Sequence, residues 1–321
     1  MSLGRRGPGE GRFPWSRIIS KKEEGPLRVG GQAVIEGVMM RSPHCMAIAV
    51  RKSGGEIVVK KEGLNFFSEK SFLFKLPLVR GVIALISALA LGIRALHFSA
   101  NQALPEEEGQ KEISSWAMGL TFALALFFGI FLFFLAPLFL TKGLRWFFPI
   151  LSTSGLLFNL TDGLIRLAFF LAYIRAISFL KEIERVFQYH GAEHKSIFAY
   201  EAGEPLSVER VKEFGRLHPR CGTNFLLIVM VVSVLIFALI PHHLPFGYKV
   251  ASRVVFIPLI AGLSYEIIRF ADRKRNRRGI RFLIQPGLWL QRLTAREPTE
   301  PQIEVALRAL QEVLEMERRR Q

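Results

Sequence analysis

The chain has 321 residues, is 50% hydrophobic and has a mean hydropathy of +0.28. These values exclude an ordinary water-soluble protein and a chain that is all membrane span; they imply an integral membrane protein with substantial soluble parts. The formal net charge of +16 reports orientation in a membrane and attraction to anionic headgroups before it reports nucleic acid, so no specific DNA partner is expected, and two distant cysteines exclude a disulfide framework.

Residues 1–27 are rich in Gly, Arg, Lys and Pro and read as a disordered basic tail with no apolar core of signal-peptide length. Residues 28–71 read as a small β-rich unit. Met46–Arg51 and Glu56–Lys60 flank Ser53-Gly54-Gly55, a hairpin signal. The run from Gly30 to Pro43 before it is strand-like. Its Glu36 and Arg41 either pair with each other, reach a site elsewhere, or are solvated charges on an ordinary strand. Residues 72–100 are apolar but interrupted by Lys75, Arg80 and Arg94; the uncharged run Gly81–Ile93 is too short to span, which predicts an interfacial or re-entrant helix. An acidic loop follows Pro105.

Residues 116–180 hold a first pair of transmembrane helices, Trp116–Thr141 and Leu156–Leu180. In the second, Asp162 and Arg166 are spaced to pair on one helix face. Residues 181–221 form a polar loop, and residues 222–270 hold a second pair of spans, Gly222–Ile240 and Val250–Ile268, joined through a tight loop containing His242 and His243. The block Arg269, Arg273, Lys274, Arg275, Arg277, Arg278 and Arg281 is cytoplasmic by the positive-inside rule. Counting back across four spans places the 181–221 loop and both termini on that side. Residues 271–321 close the chain with an amphipathic helix, Ile303–Arg319, expected to pack on the cytoplasmic part. The fold class expected is therefore a mainly α-helical polytopic protein of a bacterial cytoplasmic membrane. It has about four transmembrane helices, an interfacial helix and a small N-terminal β-rich cytoplasmic unit.

The chemistry concentrates between Tyr189 and Asn224. His190 and His194 are one helical turn apart and can share a metal, with Glu193 on the same side. In a His-x-x-Glu-His site the histidines hold a divalent metal, zinc above all. The ion lowers the pKa of a bound water to about 7, and the glutamate accepts its proton. Two histidines need a further ligand. Glu201 lies seven residues past His194, roughly 10 Å along the axis and too far; His218 and Cys221, in a His-Pro-Arg-Cys turn before an apolar helix, can complete the set. Three readings stand side by side: an open catalytic site, a closed structural site of His190, His194, His218 and Cys221, and surface histidines without metal.

Gly30–Arg41, Tyr189–Lys195, His218–Thr223, Pro286–Gln291 and Arg296-Glu297-Pro298 together resemble the YqhQ-like bacterial membrane proteins, over nearly the whole chain beyond residue 28. The resemblance implies a metal-dependent enzyme with its polar centre at His190, Glu193, His194, His218 and Cys221. The expectation is metal-assisted hydrolysis with Glu193 as general base. The alternative is a membrane scaffold or assembly factor with a structural His/Cys cluster, whose basic face binds lipid, a membrane complex or the ribosome. A transporter built on Asp162, Arg166 and Glu266 ranks below both, because no inverted repeat is evident.

Overall fold

The structure is a computed structural model that describes residues 27–64, 76–103, 114–241, 244–274 and 278–320. The basic tail up to residue 26, the acidic loop at 105–108, His242, His243, Arg275 and Arg277 lie outside the described residues.

Strands β1 (Gly30–Val34), β2 (Gly37–Arg41), β3 (Cys45–Arg51) and β4 (Ile57–Gly63) form one antiparallel sheet in chain order. The β3–β4 hairpin turns at the expected glycines, with Arg51 opposite Ile57 and Gly55 at φ +91°. The Gly30–Pro43 run is not one strand. It folds back at Ile35-Glu36, placing Val34 opposite Gly37 and Glu36 at φ +51°. The sequence signal was weak because the turn lacks the usual Asn-Gly or Asp-Gly pair. Nor do Glu36 and Arg41 pair with each other: Glu36 receives Arg185, with Nε at 2.5 Å, and Arg41 faces a cavity described below.

The sheet is covered on both faces, which is why β2 and β3 are almost wholly apolar. Side chains alternate. Val38, Met40, Ala47 and Ala49 face the helices α6 (Lys181–Glu201) and α12 (Glu300–Arg318), while Met39, Met46, Ile48 and Val50 face α1 (Val79–Ala103) through Leu91 and Ala95. Helix α12 starts where Gln302 accepts a hydrogen bond from the Thr299 N–H at 2.9 Å, and it buries Ile303, Leu307 and Leu310 in this core.

The remaining elements are α2 (Ser115–Ile130), a π-helical turn at Phe131–Leu135, α3 (Ala136–Leu144), α4 (Ile150–Thr153), α5 (Gly155–Ile177), α7 (Val208–Lys212), α8 (Gly222–Ala238), α9 (Phe246–Val255), α10 (Ile257–Arg273) and α11 (Arg278–Thr294). The π turn precedes Pro137, whose missing N–H disturbs the regular ladder. Among the described residues, four helical stretches are long and apolar enough to cross a membrane: Val79–Ala103, Trp116–Leu144, Gly155–Ile177 and Val250–Arg273. They differ from the expected set in two places. Arg80 and Arg94 do not interrupt the helix of residues 79–103, which is continuous over 25 residues, and Gly222–Ala238 is apolar but only 17 residues long. These helices turn apolar side chains outward; Phe127 is 71% and Leu235 60% exposed. Inside, Asp162 pairs with Arg166 as its spacing allows, and also with Arg253, each at 2.8 Å. Glu266 of α10 pairs with Arg80 of α1, Nε to Oε1 at 2.6 Å.

Candidate functional site

Helix α6 presents the central stretch. Glu182 and Glu184 in its first turn suit the positive end of the helix dipole. From Tyr189 to Ala199, all but His190 are buried. The i, i+4 spacing stacks the His190 and His194 rings edge to face at 4.3 Å between centroids. Cys221, the N-cap of α8, enters from the other side, with Sγ 3.1 Å from His190 Nε2. One ligand atom each from His190, His194 and Cys221 lies within 4.8 Å of the others.

Both histidines are oriented from behind by backbone carbonyls. The Thr294 carbonyl lies 2.7 Å from His190 Nδ1, and the Arg216 carbonyl 2.5 Å from His194 Nδ1. A carbonyl only accepts, so each Nδ1 carries the proton and each Nε2 keeps its lone pair toward the cluster. Burial, then the neighbouring His190, hold the His194 pKa below its ordinary value and the ring neutral. His194 Nε2 is buried and has no hydrogen-bond partner in good geometry. Burial pushes the Cys221 thiol up, but hydrogen bonding and charge from His194 outweigh it, with help from Thr223, so the thiol lies below its usual value.

His218 is brought close but turned differently. Its ring is 5.7 Å from that of His194 between centroids. Its Nδ1 accepts the Arg220 N–H at 3.2 Å, which leaves the proton on Nε2, 3.6 Å from a Glu201 oxygen. The same carboxylate receives Arg220. His218 therefore stands outside the three-ligand group, as does Glu201. Gln291 fixes this turn by accepting the His218 N–H at 2.8 Å and donating to the His218 carbonyl at 2.9 Å. His44 and Cys45 take no part. They sit at the β2–β3 turn, where Glu317 accepts from Ser42 Oγ at 2.6 Å and from the His44 N–H at 2.9 Å.

Glu193 is 6% exposed, and burial pushes its pKa up to about 8; nearby Cys221 adds to the rise, while His190 and the Gly31 N–H oppose it. Gly31 of β1 lies directly against this carboxylate. A Cβ there would stand 2.8 Å from Glu193 Cγ. Gly191 is constrained in the same way, since a Cβ would come within 1.9 Å of the Arg296 carbonyl oxygen. Gly31, Arg41, Glu193, His190, His194 and Cys221 all line a cavity of about 630 Å³.

Of the readings left open for Arg41, the one in which it reaches a site elsewhere matches the structure; sequence reasoning did not assign Gly31, Gln291 or Thr294 to the site. A usable signal was present: Gly31 and Gln291 lie in the distinctive stretches Gly30–Arg41 and Pro286–Gln291, and the fold brings these to the stretches that carry the histidines.

A family model described as "Protein of unknown function (DUF1385)" matches residues 76–316. The chain belongs to this family. It is also 37% identical over 309 residues to "Uncharacterized protein YqhQ" of Bacillus subtilis (strain 168), across 92% of this chain and 95% of that one. No solved structure matches it. The DUF1385 match takes in all five expected site residues and begins after the sheet, so Gly31 and Arg41 precede it.

Proposed function

We propose that this protein is a metal-dependent hydrolase of the bacterial cytoplasmic membrane, with its site on the cytoplasmic face. The observation that carries this reading is the convergence of His190, His194 and Cys221 on one side of a cavity that also holds the buried Glu193. Two imidazoles and a thiol with a lowered pKa suit zinc, and the buried His194 Nε2 faces the Cys221 thiol without a well-aligned hydrogen bond, as two ligands of one ion would. When bound, such an ion supplies Lewis acidity toward water and toward a carbonyl or phosphoryl oxygen. His190 and His194 hold their Nε2 atoms on one point because Thr294 and Arg216 fix the other ring edge. Glu193 moves the proton: it sits in the same cavity, burial raises its pKa into the range of a proton carrier near neutral pH, and among the described residues no ion pair fixes it in one protonation state. The His218 proton arrangement favours three ligands and an open site over a closed four-ligand one.

Packing and charge support this placement on the membrane. The sheet, α6 and α12 form one body, which favours one side for the N-terminal unit and the C-terminal helix, and the Arg/Lys block after α10 favours the cytoplasm for that side. Trp116 and Trp146, 80% and 89% exposed, flank the same helical stretch as interfacial anchors. Although α1 is long enough to cross, its first half meets Gly262 and Tyr265 of α10 and its second half covers the sheet. That supports an interfacial helix, with α8 as the fourth span.

Elemental analysis of the purified protein beside a His190→Ala/His194→Ala variant tests the reading. About one zinc per chain, lost in the variant, is expected, and Glu193→Gln should retain it. A folded wild-type protein without metal overturns the hydrolase and leaves a scaffold whose His/Cys cluster is structural.

A further inference from the structure

Arg41 reaches the cavity from the end of β2. It is partly buried, and among the described residues its guanidinium has no hydrogen-bond or ion-pair partner. The other arginine on the cavity wall, Arg220, is committed to Glu201. A guanidinium held away from bulk water without an anion is costly unless a ligand supplies one, and its planar fork matches phosphate oxygens two at a time. Away from the His190 cluster the wall is largely apolar: Leu85, Ala88 and Leu89 of α1, Ile174 and Ile177 of α5, and Leu226 of α8. Leu89 is 57% and Leu226 46% exposed, so this wall runs out to the apolar surface of the helices. One cation deep in the cavity and a greasy exit between helices fit a ligand with an anionic head and a hydrocarbon tail.

We propose that the cavity binds an anionic amphiphile of the phospholipid type, its phosphate on Arg41 and its chain leaving between α1 and α5. The proposal names the substrate class of the hydrolase site and rests on that reading for the fate of the bound molecule. The cavity of about 630 Å³ suits a headgroup and the start of a chain, so the tail remains in the bilayer and the substrate is drawn sideways from the membrane.

The test uses the full chain in detergent micelles with phosphatidic acid and phosphatidylcholine carrying the same fluorescent acyl chain, and metal content measured on the same samples. Phosphatidic acid should bind about tenfold tighter or more, the range of a charged hydrogen-bonded contact. Arg41→Gln should abolish the preference and Arg41→Lys restore part of it, with metal unchanged in both. Leu89→Trp, which narrows the exit without touching the cation, should weaken phosphatidic acid binding. Equal binding of the two lipids, or a preference that survives Arg41→Gln, overturns the proposal. Displacement by inorganic phosphate together with indifference to Leu89→Trp overturns the lipid and leaves a free-phosphate site. Selectivity without metal overturns the hydrolase reading and its substrate, and leaves a lipid-binding site; metal without selectivity does the reverse.

Discussion

In the Asp162 cluster, two guanidiniums converge on one carboxylate oxygen at 2.8 Å each, and the ring faces of Phe134 and Phe237 cover them. Asp162 and Arg166 are each 1% exposed. In the His190 cluster, the polar atoms are fixed from behind by carbonyls and their free lone pairs meet across a cavity. Both clusters bury groups that water would otherwise solvate. The first sets its one carboxylate between two guanidiniums and leaves the remaining positive charge to the aromatic faces, which suits a strut between α5 and α9. The second turns the lone pairs of two neutral rings into a cavity, which suits binding. Burial and polarity alone do not separate a structural cluster from a working one; the direction of the unspent lone pairs does.

The comparison can be broken in graded steps. The largest effect is expected from His190→Ala/His194→Ala, where bound metal should fall from about one per chain to none, by elemental analysis, while Asp162→Asn leaves it unchanged. Next, Asp162→Ala leaves two buried guanidiniums without their carboxylate and should cost about 3–5 kcal/mol, read as a lower unfolding midpoint in nanodiscs. A silent Asp162→Ala would remove the strut. Gly31→Ala forces the Glu193 carboxylate to move; turnover should drop by about a hundredfold, as for a misplacement of about 1 Å, with metal retained. Loss of metal instead would make Glu193 a ligand.

The smallest effect lies away from both clusters. Burial pushes the Glu317 carboxyl up, but hydrogen bonds from Ser42 and His44 outweigh it, and its pKa is held below the ordinary 4.5. A depressed carboxylate contributes stability above that ordinary value and loses it as the pH falls through the folded one. The unfolding midpoint should therefore decline below about pH 4.5, and Ser42→Ala should cost about 1 kcal/mol at neutral pH and flatten the decline.

Much of this was legible in the sequence, for stated reasons. The His190–His194 pair and Glu193 could be read because helical spacing alone puts them on one face. The Asp162–Arg166 pair obeyed the same rule; Arg253, which shares that carboxylate, comes from α9 and left no local trace. Cys221 could be proposed from its turn. His218 looked equivalent to it, and only the three-dimensional turn shows that the Arg220 N–H takes up its Nδ1. Thr294 and Arg216 act through backbone carbonyls, which no residue type betrays. The continuity of α1 escaped because Arg80 finds Glu266, a partner 186 positions away.

The two-faced sheet has a consequence for how the molecule comes into being. Residues 37–50 find the cover for one face in α6 and in residues 303–313, more than 250 positions along the chain. During synthesis that face stays incompletely covered until α12 has been made. The segment Arg296–Pro298, just before α12, packs against Gly191 beside the histidines, and Thr294 orients His190 from the same stretch. A chain that stops before residue 294 thus holds the histidines without the carbonyl that orients His190 and without α12, so the finished site depends on segments more than 250 positions apart.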